Sequence, residues 1–209
     1  MPAELKAHVW FPTLIWQADM PDNEKSFIKD IKDFVLKEKK ETPDTAYSSL
    51  NKLWDGKYNS VFQGGWQSKT YTDWAQLIPV AHMGKKLDET IETCRKQIGV
   101  PELKLKGYWF SVNSYGDYTT LHNHRDSVLS GVFYVDIPDE NMGKINFERS
   151  DDISYFLPPL ESYNNFTGER ASYQPETGRV LIFPSWLKHS VDANRSKKNR
   201  ISVSFNYGV

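Results

Sequence analysis

The spacing of apolar residues changes at Pro101, and that change sets what the chain can fold into. Before it, apolar residues recur every three or four positions. After it come short runs rich in β-branched and aromatic residues, with turn residues between them and no helical pattern. Residues 22–39 read as a helix with Phe27, Ile28, Ile31, Phe34 and Val35 on one side. Residues 42–69 are polar and read as an irregular connection. A second helix is expected over 73–98, where Leu77, Val80, Gly84, Leu87, Ile91, Cys94 and Ile98 form an unbroken stripe suited to packing on a sheet. Pro79 falls in its first turns, where proline is tolerated, and Gly99 is placed as a C-cap. Cys94 on that stripe reads as a buried thiol, and His82, off it, as a surface residue.

Strand patterns follow at 103–115, 127–137, 144–148, 153–157, 179–183 and 200–207. Many short strands without helices between them predict a sandwich or jelly roll. The expected fold is therefore mainly β with α: one domain over 1–209, with a mostly helical part over 1–100 packed on one face of a β core over 101–209. An aromatic content of 14% suits such a core.

Composition limits the partners. With 26 basic and 27 acidic residues the net charge is -1, so no field of one sign invites nucleic acid or an anionic membrane. No apolar run is long enough to span a bilayer. The single cysteine precludes an internal disulfide and fits a reducing, cytoplasmic setting. A small-molecule or peptide substrate is expected, and a homodimer is compatible with the sequence.

Three histidines stand where chemistry is possible. His122 and His124 are two apart, and Asp126 follows at the same interval, so on extended chain all three share a side. His189 lies beyond the 179–183 strand, and a jelly roll brings such distant strands together. Imidazole with carboxylate is a ligand set for non-haem iron(II) that leaves positions open for other ligands. Arg200 and Ser202 share one face of the last strand and suit a carboxylate clamp. Val203 and Phe205 alternate with Ser202, Ser204 and Asn206, as in a strand with a polar interior.

His-x-[Asp/His], a distant His and then Arg-x-Ser resemble the 2-oxoglutarate and Fe(II)-dependent oxygenase superfamily. VWFPTLIW, HNHRDSVLSGVFYV and GRVLIFPSWLKHSVDANRSKKNRISVSFNYG resemble, more narrowly, a subgroup of small oxygenases from bacteria and cyanophages. The resemblance implies a double-stranded β-helix (jelly roll), Fe(II), 2-oxoglutarate and O2, and dioxygenase activity with succinate and CO2 as co-products. It implies His122 and His189 as iron ligands, Arg200 as the partner of the cosubstrate's far carboxylate, and Ser202 as its helper. Tyr115 and Tyr134 match positions that often turn a hydroxyl toward the cosubstrate. The chain departs from the pattern at the second ligand. Either His124 completes three histidines, or His124 and Asp126 form the pair and Asp126 supplies the carboxylate. Trp109, Tyr118 and Trp186 flank these motifs as candidate walls of a substrate cleft. Two other readings stay open: a cupin-like metal jelly roll without 2-oxoglutarate, and a jelly roll that binds or builds without catalysis. Arg200 with Ser202 separates the first reading from both.

Overall fold

The computed structural model describes residues 12–21, 25–43, 62–150, 162 and 164–209. The expected strand at 153–157 and the start of the first helix at 22–24 lie outside them. Among the described residues eleven strands form two antiparallel sheets. The larger has six strands in the order β1 (Trp16–Asp19), β9 (Arg179–Pro184), β6 (Leu129–Asp136), β11 (Arg200–Gly208), β4 (Lys104–Asn113) and β3 (Trp66–Gln67). The smaller runs β2 (Phe62–Gln63), β5 (Tyr118–His122), β10 (His189–Val191), β7 (Ile145–Glu148) and β8 (Arg170–Tyr173). The α-helices among the described residues are α1 (Ser26–Glu41) and α2 (Ile78–Ile98).

Two apolar clusters explain the arrangement. One joins Ile28, Ile31 and Val35 of α1 and Val80, Leu87, Ile91 and Cys94 of α2 to Phe110, Phe133, Val203 and Phe205 of the large sheet. The other joins Val132, Leu181 and Phe183 of the large sheet to Ile145 and Phe147 of the small one. The large sheet is thus covered on both faces, which is why β6 is buried along nearly its whole length. Burying apolar surface on both sides contributes roughly 25 cal/mol per Å2. At the α1 contact, the Phe27 ring lies 6.4 Å from Phe133, and Lys32 pairs with Asp136 at 2.8 Å.

The expected second helix is interrupted. Trp74–Gln76 is a separate 3-10 turn, and Leu77 is extended before α2 begins. Asp73 and Gln76 close a capping box on that turn, while Pro79 can occupy only the opening of α2. The break lets the Trp74 ring stack on Tyr108 at 4.1 Å and donate from Nε1 to the Tyr207 hydroxyl at 2.9 Å. The irregular connection expected at 42–69 also needs correction, because it holds β2 and β3. Gly64 and Gly65, both at φ 75°, turn the chain from the small sheet to the large one. Strands of two residues are too short to show a period. Cys94 is buried as expected, its thiol pushed up to about 11 by burial. His82 is exposed. Among the described residues no helix is long and apolar enough to cross a membrane.

Gly84 on α2 meets the Trp74 ring so closely that an added Cβ would sit 2.2 Å from Cγ. Gly84→Ala must push the indole out of its stack. It is expected to cost about 1–3 kcal/mol, read as a lower urea midpoint with an unchanged m-value.

Candidate metal centre

Strand pairing builds the site. His189 opens β10 and faces His122, the last residue of β5, as a direct cross-strand partner. Their rings lie 4.2 Å apart. His124 follows after β5 ends, held by its backbone N–H donating to the Ser185 carbonyl at 2.9 Å. Its ring is parallel to that of His189, with the two Nε2 atoms 3.3 Å apart. The three histidines offer ligand atoms all within 4.8 Å of one another.

Hydrogen bonds fix two of the rings. Nδ1 of His122 donates to the Thr120 carbonyl at 2.8 Å, and Nδ1 of His189 donates to the Leu187 carbonyl at 2.9 Å. A carbonyl only accepts, so each ring carries its proton on Nδ1 and presents a bare Nε2. Two nitrogens each bound ~2.1 Å from one ion lie roughly 3 Å apart, close to the 3.3 Å between the Nε2 atoms of His124 and His189. Phe183 and Phe147 back His189, with ring centroids at 4.6 and 5.9 Å. Burial holds the imidazoles neutral: His124 is pushed down to about 4, His189 to about 3, and His122 also below the usual histidine value. Neutral imidazole is the form that binds metal. The donor set therefore fits a divalent transition metal.

Asp126 does not join this group. The chain turns after His124 to cross to the large sheet, and Asp126 adopts a left-handed backbone at φ 60°. It is exposed and does not line the cavity. The side shared by His122, His124 and Asp126 required extended chain throughout, and the turn removes it.

The triad opens on a cavity of about 400 Å3 between the sheets. Arg200 lies at one end of it and is 3% exposed. It pairs across β4 with Asn113. Its Nη2 donates to Asn113 Oδ1 at 3.0 Å, and its Nη1 donates to the carbonyls of Met142 at 3.0 Å and Gly143 at 3.3 Å. All three acceptors are neutral, and burial pulls the guanidinium below its ordinary value. Arg200 Nε and Asn113 Nδ2 are buried with no hydrogen-bond partner among the described residues. Two buried donors aimed at one cavity call for an anion.

Ser202 and Tyr134 are cross-strand partners, and both line the cavity. Burial pushes the Tyr134 hydroxyl up to about 12, so it stays protonated and can donate. Tyr115 is elsewhere: it is 66% exposed, in the turn that follows β4. Ser114 N–H donates to the Asp117 carboxylate at 2.6 Å, and that turn swings Tyr115 away from the side it would share with Asn113. Trp109 lines the cavity and stacks on His124 at 6.1 Å, whereas Tyr118 and Trp186 are exposed and outside its lining. Asn113 was missed in sequence. Its signal was the alternation of Trp109, Ser111 and Asn113 with apolar Phe110 and Val112 along β4.

Residues 107–206, the stretch that carries the triad and Arg200, match the family described as "Putative 2OG-Fe(II) oxygenase". This half of the chain is a 2OG-Fe(II) oxygenase domain. The oxygenase uses Fe(II), 2-oxoglutarate and O2. Among solved structures it resembles a Pseudomonas putida prolyl-4-hydroxylase, with TM-score 0.66 and 14% identity over 94% of each chain. It also resembles AviO1 from Streptomyces viridochromogenes Tue57, with TM-score 0.59 and 12% identity over 95% of this chain and 90% of that one. HygX from Streptomyces hygroscopicus, with nickel and 2-oxoglutarate bound, aligns with TM-score 0.56 and 13% identity over 94% of this chain and 83% of that one. At these identities the likeness is one of fold. No curated protein sequence matches the chain.

The depressed imidazoles link stability to pH. An unfolded histidine titrates near 6.5, whereas His124 and His189 in the fold resist protonation down to about 4 and about 3. Between those values the unfolded chain binds more protons, so stability is full above pH 6.5 and falls as the pH drops through that window. Denaturation of the metal-free oxygenase should show a loss on the order of 1 kcal/mol per pH unit below pH 6. The slope should be shallower in the His124→Gln, His189→Gln double variant.

Proposed function

We propose that this oxygenase binds iron through His122, His124 and His189 and oxidises a C–H bond of its substrate, with Arg200 anchoring 2-oxoglutarate. The supporting observation is the buried guanidinium of Arg200, which faces the triad's cavity and has no carboxylate partner among the described residues. A desolvated cation is costly without an anion. The far carboxylate of 2-oxoglutarate is the anion this chemistry requires.

Each residue then has a role. Arg200 Nε and Asn113 Nδ2, the two unpartnered donors, receive the carboxylate oxygens. Ser202 adds a hydroxyl beside them, and Tyr134 donates from the neighbouring strand. The Thr120 and Leu187 carbonyls keep two imidazoles turned inward, so the ligands are oriented before metal arrives. Ile145, Val191 and Phe183 give the space an apolar wall. Bound Fe(II) supplies O2 activation and the oxidative decarboxylation of 2-oxoglutarate to succinate and CO2. A cupin-like site without 2-oxoglutarate would leave the Arg200 end of the cavity unexplained, and a purely structural module would leave the triad unexplained.

We read the paired sheets as a double-stranded β-helix (jelly roll) with α1 and α2 on the outer face of the larger one. The TM-score of 0.66 to a prolyl-4-hydroxylase supports that reading. A cytoplasmic location is consistent with one buried, protonated cysteine.

The test is anaerobic titration with Fe(II) and then 2-oxoglutarate. The visible charge-transfer band of an iron-bound keto acid is expected in wild type. In Arg200→Ala, which removes one partner of a buried charge pair, 2-oxoglutarate should bind about 30-fold or more weakly. Arg200→Lys should recover part of that loss. A band that forms equally well in both variants and wild type would remove Arg200 from this role.

A further inference from the structure

The two ends of the cavity differ, and the end away from Arg200 has a chemistry of its own. Along β11 the side chains facing the cavity are Arg200, Ser202, Ser204 and Asn206 in turn. Trp109 is the cross-strand partner of Ser204 and stacks on His124, so Ser204, Asn206 and Trp109 lie further along the sheet from Arg200. Arg125 lines the cavity directly after His124 in the chain.

Three observations bear on what this end accepts. No Asp or Glu lines the cavity among the described residues, and its charged side chains are Arg200 and Arg125. Arg125 makes no hydrogen bond or ion pair among the described residues, although a carboxylate, Asp126, is its neighbour in the chain. The Asn206 amide is held by a hydroxyl relay. Ser130 Oγ donates to Asn206 Oδ1 at 2.7 Å, so the Ser185 hydroxyl, also 2.7 Å from Ser130, must donate to Ser130. With Oδ1 engaged, Nδ2 is the group that Asn206 offers the cavity. Asn206 therefore brings a donor to the cavity, and the exposed Arg125, next in the chain to the His124 on which Trp109 stacks, brings positive charge.

The count of charge in the loaded site points the same way. Three imidazoles bring no negative charge, where a carboxylate ligand would bring one. Fe(II) and the 2-oxoglutarate dianion cancel, and Asp117 and Asp192 lie near enough to Arg200 to act on its charge, which leaves Arg125 as the cavity's unbalanced cation.

We propose that the substrate is a small molecule bearing an oxyanion, a carboxylate or a phosphate, which Arg125 pairs while Trp109 contacts the body and Asn206 Nδ2 donates to a polar atom on it. This rests on the oxygenase reading and adds to it the substrate's charge. The planar fork of Arg125 suits both oxyanions. A cationic substrate would meet only like charge.

The experiment is calorimetric titration of the full chain, loaded with Zn(II) in place of iron and saturated with 2-oxoglutarate so that Arg200 is engaged. The probes are phenylacetate, phenyl phosphate and neutral phenylacetamide. At least one anion should bind about tenfold tighter than the amide, as a charge-assisted pair requires. In Arg125→Gln, with folding verified by circular dichroism, that preference should shrink to within about twofold, and Arg125→Lys should keep part of it. The anion that binds tighter identifies the class. Anions that bind no better than the amide, or a preference that survives in Arg125→Gln, would overturn the proposal. The keto-acid band of wild type separates the two readings: a band without anion preference sinks only this proposal, and no band at all sinks the oxygenase assignment of the residues.

Discussion

The structure depends on the two-sided character of β11. One side carries Ile201, Val203, Phe205 and Tyr207 into the helix-covered core; the other carries Arg200, Ser202, Ser204 and Asn206 into the cavity. A one-residue slip would exchange the two sets, burying a guanidinium among apolar rings. Pairing with β4 and β6 on its two flanks fixes that register. The same pairing sets Asn113 beside Arg200 and Tyr134 beside Ser202. The polar cluster around Arg200 is thus a by-product of the contacts that hold the sheet together.

Much of this was legible in sequence wherever a long period existed. The stripe from Val80 to Cys94 predicted the buried face of α2, and the alternation from Ser202 to Asn206 predicted the polar side of β11. The short elements were not legible. β2 and β3 have two residues each, and β10 has three, so none shows a repeat. Turn geometry decided the remaining site residues. Two-residue spacing placed Asp126 with the histidines and the resemblance placed Tyr115 near the cosubstrate, and in each case the strand ends before the residue is reached. Sequence spacing carries direction only while the backbone stays extended.

The loop that precedes β11 shows how the Arg200 guanidinium is kept still. Asn194 Nδ2 donates to the carbonyls of Asn113 and Lys198, and its Oδ1 accepts from Ser196 N–H. One buried amide thereby ties the loop to the end of β4. Gly143 adds the opposite wall: at φ 79°, with no Cβ, it lies against the Asp192 carbonyl, where a Cβ would come within 2.2 Å. That close approach lets the Met142 and Gly143 carbonyls reach the guanidinium. These neutral dipoles orient the cation without neutralising it, so its charge remains for a ligand.

The burial of Cys94 has a consequence for an enzyme that handles O2. Where oxidants arise, a cysteine is at risk in proportion to its thiolate character and exposure. The one sulfhydryl here lies on the helix side of the large sheet, with the cavity on the other, and burial keeps it protonated. Thiolate character and access govern sulfur oxidation, and this residue has neither. The layer of aromatic and aliphatic side chains that stabilises the fold therefore also acts as a shield, and self-inflicted damage would fall on residues of the cavity wall, such as Trp109, ahead of the cysteine.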